Sequence, residues 1–167
     1  LQPGETRPQE EYFKHCLPNF RVFDEKRYFQ PGQHATVFTL NGVRIGLLVC
    51  EDLWHPAPMV AACAEGAELI LALNASPFSD DKHESRTAHV AARSAENGVP
   101  IIYANLVGGQ DELVFDGGSF AVDAQGECCL QGPFFESALI NVEVRRSEAG
   151  ALSLQGCASI GNLGATG

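Results

Sequence analysis

The sequence predicts one mixed α/β (α+β) domain, and three observations support that prediction. Strand-like and helix-like segments alternate through the middle of the chain, and short strands joined by turns fill its last third. The 167 residues are 45% hydrophobic and 19% charged, which is enough apolar material to build a sizeable core. We therefore expect a globular fold rather than a disordered chain.

The chain begins irregularly and then enters a β-hairpin. Residues 1–34 are rich in Pro, Gly and charge, so they are predicted to be mostly loop. Two apolar, β-branched runs follow at 35–40 and 43–49, and the Asn-Gly pair at 41–42 is a strong signal for a two-residue hairpin turn. Cys50 therefore stands where the second strand leaves the sheet.

A strand, helix, strand crossover is predicted next. Pro56 and Pro58 are tolerated in the first turn of a helix, which continues over 59–65 and stops at Gly66. The apolar run 68–73 then has the length and composition of a buried strand. This order of elements is typical of a sheet with parallel neighbours.

A second helix is predicted over 84–96, with Asn-Gly at 97–98 as its C-terminal cap. Another buried strand follows at 101–105, and the segment 107–119 is predicted to be a Gly-rich loop. The remaining strands are expected to be antiparallel, over 119–122, 127–131 and 138–144.

After Val144 the composition turns to Ser, Gly and Ala. Too few large apolar side chains remain there to hold the segment in a core, so 145–167 is predicted to be a mobile tail or a truncated end. On this division, residues 1–144 form the folded domain.

Charge and motif content exclude several classes of function. A net charge of -10 and a pI near 4.8 disfavour binding to nucleic acid or to an anionic membrane. No apolar run is long enough to span a membrane, and no signal layout is seen at the start, so we expect a cytoplasmic protein. The six cysteines are expected to be thiols, and without CxxC or paired His spacing no metal site is expected.

Cys50 is the strongest candidate nucleophile. It follows an apolar strand, carries Glu51 and Asp52 directly after it, and is preceded in the chain by Lys14 in a Pro-containing loop. A cysteine attacks as its thiolate, which a nearby ammonium or a general base favours. The alternative is a buried cysteine that acts only as a small apolar residue.

Five ordered blocks resemble a known family: YFKHCLPNFRVFDEKRYFQPG, GLLVCEDLWHP, NASPF, the K-x-x-x-R of Lys82 and Arg86, and YANLVGGQDELVFDGGSF. They are similar to the glutamine amidotransferase (amidase) domain of glutamine-dependent NAD synthetases, in the nitrilase superfamily. The resemblance implies a four-layer αββα sandwich and a Glu-Lys-Cys triad. That triad would hydrolyse the side-chain amide of glutamine and pass ammonia to an ATP-dependent domain that makes NAD from deamido-NAD.

The resemblance also implies roles for individual residues. Cys50 would form a γ-glutamyl thioester, while Lys14 and the Glu51 N–H would hold the oxyanion. Glu25 matches a second acidic residue near that lysine. The candidates for binding glutamine are Ser76, Lys82, Arg86 and Asp111.

Each role has a structural alternative. Lys14 and Glu25 could be solvated surface residues, and Ser76 before Pro77 could shape a turn. Arg86 stands in the first turn of a predicted helix, where a cation is unfavourable unless an anion meets it.

One part of the family pattern has no match. The triad glutamate precedes the lysine in the family, and here Glu5, Glu10 and Glu11 are too close in sequence to Lys14 to fit it. The chain is therefore expected to lack its N-terminal strands, and the edge this exposes favours a homo-oligomer. ATP and magnesium are expected only in a synthetase domain outside this sequence. A stand-alone amidase for another small amide and a non-catalytic fragment remain alternatives.

Overall fold

The computed structural model describes residues 8, 10–20, 23–79 and 82–156, without the side chains at 82 and 83. Within this part of the chain the helices are α1 (Glu25–Tyr28), a 3-10 helix (Cys50–Trp54), α2 (Pro56–Ala64) and α3 (Lys82–Asn97). The strands are β1 (Val37–Leu40), β2 (Val43–Val49), β3 (Leu69–Asn74), β4 (Ile101–Asn105), β5 (Val107–Gln110), β6 (Leu113–Asp116), β7 (Phe120–Val122), β8 (Cys128–Gln131), β9 (Val142–Arg146) and β10 (Leu152–Gly156).

Six strands form the main sheet in the order β1-β2-β3-β4-β7-β8. The central strands β2, β3 and β4 are parallel, and the outer strands pair antiparallel. The predicted mixed α/β class, the crossover and the antiparallel last third are confirmed. Because β2, β3 and β4 run in one direction, the segments that follow them emerge at the same edge of the sheet.

The hairpin between β1 and β2 has the turn that the sequence predicts. Asn41 and Gly42 both take positive φ, at 50° and 78°, as the tight turn matching the twist of a hairpin requires. β2 occupies the residues predicted for it, and it ends immediately before Cys50.

Helices α2 and α3 cover one face of the main sheet. Met59 of α2 and Val90 of α3 are buried against sheet residues such as Leu48, Ile70 and Ile101. Each such fully buried side chain contributes about 1.5–3 kcal/mol through removal of apolar surface from water. This packing holds α2 and α3 against the main sheet.

The hairpin β9–β10 covers part of the opposite face. Leu154 is only 6% exposed and joins a cluster with Ile45, Leu69 and Ala121. The predicted tail is therefore wrong for residues 145–156. Leu152 and Leu154 are two residues apart and so lie on the same face of β10. They pack against apolar residues of the main sheet, and together these form a second, smaller core. Residues 157–167, with Cys157, lie outside the described part of the chain.

Two further boundaries differ from the prediction. The Gly-rich segment is not a loop but the antiparallel hairpin β5–β6, with Asp111 in its turn at φ 52°. Glycines lower the strand propensity of this segment, but the two strands still pair through backbone hydrogen bonds. The last predicted strand begins four residues later, at Val142.

We predict that Arg146 anchors the β9–β10 hairpin. Its guanidinium binds both carboxylate oxygens of Glu68 at 2.7 and 3.0 Å and donates to the Gly42 carbonyl at 3.1 Å. The Arg146 hydrogen bonds, with one from the Arg44 backbone, lower the pKa of Glu68 to about 2. Arg146→Met should therefore modestly lower the urea midpoint at pH 7, measured by tryptophan fluorescence.

The pH dependence of this effect follows from the sign of the shift. A carboxyl group whose pKa is lowered in the folded state stabilises the fold at pH values above its unfolded pKa of about 4.3. This stabilisation is lost as the pH falls towards 2. The difference between Arg146→Met and the parent should shrink between pH 4.5 and pH 2. Arg145→Met, which removes an exposed pair with Glu143, is the control. A difference that stays constant with pH would show that Glu68 is not the partner that matters.

Candidate active site

Cys50 stands on a sharp turn between β2 and the 3-10 helix. Its φ is +48°, a conformation that costs a non-glycine residue free energy and persists only where the surroundings fix it. The turn carries Cys50 past the end of β2, at the sheet edge where β3 and β4 also end. The described cysteines form no disulfide, as the sequence predicts.

Lys14 is held by Glu25. The ammonium nitrogen lies 2.8 Å from each carboxylate oxygen, and the two side chains are only 15% and 23% exposed. α1 carries Glu25, and the backbone N–H of Gly32 binds the Lys14 carbonyl at 2.8 Å. The alternative of two solvated surface residues is therefore wrong, and the pair predicted from the sequence is formed.

Asp52 connects the loop that carries Lys14 to the turn that carries Cys50. Its carboxylate is fully buried and accepts hydrogen bonds from the Tyr12 hydroxyl at 2.7 Å and from the backbone N–H groups of His15 and Cys16 at 3.1 and 2.7 Å. A fourth donor is the N–H of Val49, at 3.0 Å. The sequence placed Asp52 beside the nucleophile but did not show this role, because its partners are distant in the chain.

Glu51 borders an open cleft beside this loop. The cleft has a volume of about 780 Å³ and is lined by residues 15–20 together with Lys26, Glu51 and His55, among others. The Glu51 carboxylate is 19% exposed and lies 3.6 Å from Nε2 of His55. A cleft of this size accepts an amino-acid-sized ligand.

Ser76 lies close to Cys50 through Tyr103. Ser76 is 2% exposed, its N–H binds the Asn105 side chain at 3.0 Å, and its hydroxyl hydrogen-bonds Tyr103. Burial raises the pKa of the Tyr103 hydroxyl, and the charge of Cys50 raises it further. Cys50 is thus near enough to Tyr103 to influence its pKa, and Tyr103 in turn contacts Ser76. The sequence identified Ser76 but not Tyr103, which appears only as an apolar strand residue.

Arg86 meets a carboxylate of the protein itself. Its guanidinium is 1% exposed and binds the two Asp116 oxygens at 3.1 and 3.2 Å, and it also contacts the Gly117 carbonyl at 3.4 Å. Asn105 donates to the same Gly117 carbonyl at 2.9 Å. The anion that meets Arg86 is thus a buried protein carboxylate, and the role of Arg86 in binding glutamine stays a prediction.

The roles of two further predicted ligands stay predictions. Asp111 is exposed in the β5–β6 turn. Lys82 begins α3, and its side chain lies outside the described part. Glu10 and Glu11 are exposed, in accord with their rejection as the triad glutamate, and Glu5 is not described.

No group of three or more His, Cys, Asp or Glu side chains among the described residues is arranged to hold a metal ion. No helix in the described ranges is both long and apolar enough to cross a bilayer.

The family model for carbon-nitrogen hydrolases matches residues 3–153. The chain belongs to the carbon-nitrogen hydrolase family. The match extends past Val144 into β10, in agreement with the folded C-terminal hairpin.

Curated relatives of this carbon-nitrogen hydrolase chain are glutamine-dependent NAD(+) synthetases. The protein of Xylella fastidiosa (strain Temecula1) is 44% identical over 149 residues, which is 88% of this chain and 27% of the relative. That of Thermotoga maritima is 42% identical over 86% of this chain and 25% of its own length. The chain therefore spans about a quarter of the length of these relatives.

Solved structures agree on the nitrilase fold. The glutamine-dependent NAD+ synthetase of Acinetobacter baumannii superposes with a TM-score of 0.76 at 36% identity, over 90% of this chain and 28% of that one. A mutant of the Nesterenkonia AN1 amidase from the nitrilase superfamily gives a TM-score of 0.66 at 30% identity, over 87% and 49% of the two chains. The described residues contribute the six-stranded sheet, two two-stranded sheets and one helical layer to this architecture.

Proposed function

We propose that this chain hydrolyses the side-chain amide of glutamine and supplies the ammonia to NAD synthesis. The observation that supports it most is the joining of the Lys14–Glu25 pair to the Cys50 turn through one buried carboxylate, Asp52. The 44% identity to glutamine-dependent NAD(+) synthetases favours glutamine as the amide.

The proposed reaction begins with attack of the Cys50 thiolate on the amide carbon. A tetrahedral oxyanion forms, and the Lys14 ammonium and the Glu51 N–H stabilise its charge. The carbon–nitrogen bond then breaks, the nitrogen leaves as ammonia after protonation, and a γ-glutamyl thioester remains on Cys50. Water hydrolyses this thioester to glutamate and regenerates the thiol. Glu25 keeps the Lys14 ammonium oriented throughout.

The substrate pocket in this proposal is the cleft beside Glu51. Glu51 lines this cleft and is placed to meet an amino group. We keep Ser76, which is not part of the cleft lining, as the proposed group that orients the amide. Ammonia passes to a synthetase domain that uses ATP and magnesium, and that domain performs the ligase step. A cytoplasmic setting and a homo-oligomer are part of the same proposal, carried over from the sequence.

A second candidate function is amide hydrolysis on a smaller substrate. The neighbour from Nesterenkonia is called an amidase, and one structure of it shows covalent addition of the acetamide moiety of fluoroacetamide at its active-site cysteine. On this alternative, Cys50 would react with short amides and show no preference for glutamine.

The test is intact-mass spectrometry after incubation with a diazo-ketone analogue of glutamine. We expect one adduct at pH 8, lost in Cys50→Ala and kept in Cys63→Ala. Burial raises the pKa of Cys63, and burial together with Asp52 raises that of Cys16 to about 11, so both remain neutral thiols at this pH. An adduct from fluoroacetamide but none from the glutamine analogue would replace the proposal with the small-amide alternative. No adduct from either would reject both.

A further inference from the structure

Asp52 touches both halves of the proposed site. The two donors to Oδ1 are the N–H groups of His15 and Cys16, directly after Lys14. The donors to Oδ2 are the Tyr12 hydroxyl, two residues before Lys14, and the N–H of Val49, directly before Cys50. One carboxylate therefore binds the chain on both sides of Lys14 and also binds the residue directly before Cys50.

The hydrogen-bonding capacity of the carboxylate is matched by these donors. Each oxygen accepts two hydrogen bonds, and a buried charge is tolerated only when such donors replace the water it has lost. No neutral side chain of the same shape can do this. An asparagine would present an amide N–H₂ to one pair of donors, so at least one backbone N–H would be left unsatisfied.

The loop that Asp52 holds has no regular secondary structure, and its other hydrogen bonds go mainly to the segment that leads into β1. Residues 10–20 contain no helix or strand, and the cleft lies along residues 15–20. Lys14 is fixed at its tip by Glu25 and at its carbonyl by Gly32, and both of those partners belong to the same irregular region before β1. Asp52 is the contact that ties this region to the end of β2.

We propose that Asp52 is a positioning residue that sets the Lys14 ammonium against Cys50. It acts through the backbone on either side of Lys14 and does not touch the substrate. This inference rests on the proposed function, since it presumes that Lys14 and Cys50 react together. Misplacement of such a group by about 1 Å can cost about 100-fold in rate.

The experiment is a double-mutant cycle between Asp52 and Lys14, in the protein that contains this chain. The single variants are Asp52→Asn and Lys14→Met, and the latter keeps the apolar stem of the lysine without its charge. The readouts are kcat and KM for glutamine hydrolysis and the rate of the Cys50 adduct. We expect Asp52→Asn to lower kcat by about 100-fold with KM changed by less than about threefold.

The cycle separates positioning from a purely structural role. If Asp52 acts through Lys14, Asp52→Asn in the Lys14→Met background should cost less than about threefold, because the charge it positions is already gone. An equal loss of about 100-fold in both backgrounds would overturn the proposal. General unfolding caused by Asp52→Asn would lower the activity by the same factor in both backgrounds. It therefore cannot explain a smaller loss in the Lys14→Met background.

A milder variant keeps the test decisive where Asp52→Asn does not fold. Tyr12→Phe removes one of the four donors and leaves the carboxylate and its three backbone contacts in place. It should lower kcat by a few-fold when Lys14 is present and leave the Lys14→Met rate unchanged. Equal effects of Tyr12→Phe in the two backgrounds would again overturn the proposal that Asp52 positions Lys14. If instead Lys14→Met and Cys50→Ala leave the rate intact, the proposed function fails, which is a distinct result.

Discussion

Replacing Cys50 with alanine should abolish glutamine-driven NAD synthesis and leave synthesis from free ammonia unchanged. The thiolate serves only the amide step, because ammonia needs no nucleophile to release it. Without the thiol, the residual rate would rest on binding and oxyanion contacts alone, so glutamine hydrolysis should fall by at least about 1000-fold. The measurement is NAD formation with glutamine or with ammonium as nitrogen donor, in the longer protein that carries this chain.

The matched control for this variant is Cys63→Ala. Cys63 is in α2, packed against the helical side of the core, and alanine is well tolerated in a helix. It should keep both activities. Loss of both activities in Cys50→Ala would mean that the variant disturbs the fold or that ammonia is not the product passed on. Retention of glutamine-driven activity would remove Cys50 from the mechanism.

The site residues that the sequence identified are those with a local signal. Cys50 has a local signal because it directly follows an apolar strand, β2, which itself follows the hairpin dipeptide Asn41-Gly42. Lys14 and Glu25 were found through the similarity of the block that contains both. In each case the information lies within a short stretch of chain.

The contacts that the sequence could not show join residues that are distant in the chain. Asp52 binds groups 36 to 40 residues away, and Arg86 binds Asp116, 30 residues away. No local pattern encodes such a pair, since the two segments meet only after the sheet has formed. The tail was misjudged for a related reason. Its average composition is weakly apolar, but alternate leucines of β10 face a surface that the rest of the chain provides.

Replacing Arg86 with methionine should destabilise the protein by about 3–5 kcal/mol, because Asp116 would be left as an unpaired charge in the interior. Both side chains are almost fully buried, at 1% and 2% exposure, so water cannot take the place of the guanidinium. Arg86→Lys should be intermediate, since an ammonium keeps the charge beside Asp116 but does not reproduce the planar guanidinium that donates from one nitrogen to Asp116 and from the other to the Gly117 carbonyl. Urea unfolding at pH 7 measures the change.

Two further variants distinguish this structural role from substrate binding. Arg93→Met removes a pair with Glu96 on the same helix, and because Glu96 is 51% exposed it should cost no more than about 1 kcal/mol. In the double variant of Arg86→Met with Asp116→Leu, both charges are replaced by apolar groups, so most of the lost stability should return. If Arg86 serves the fold, this double variant should bind the glutamine analogue nearly as the parent does. A refolded double variant that no longer binds it would return Arg86 to the substrate site, as the sequence first suggested.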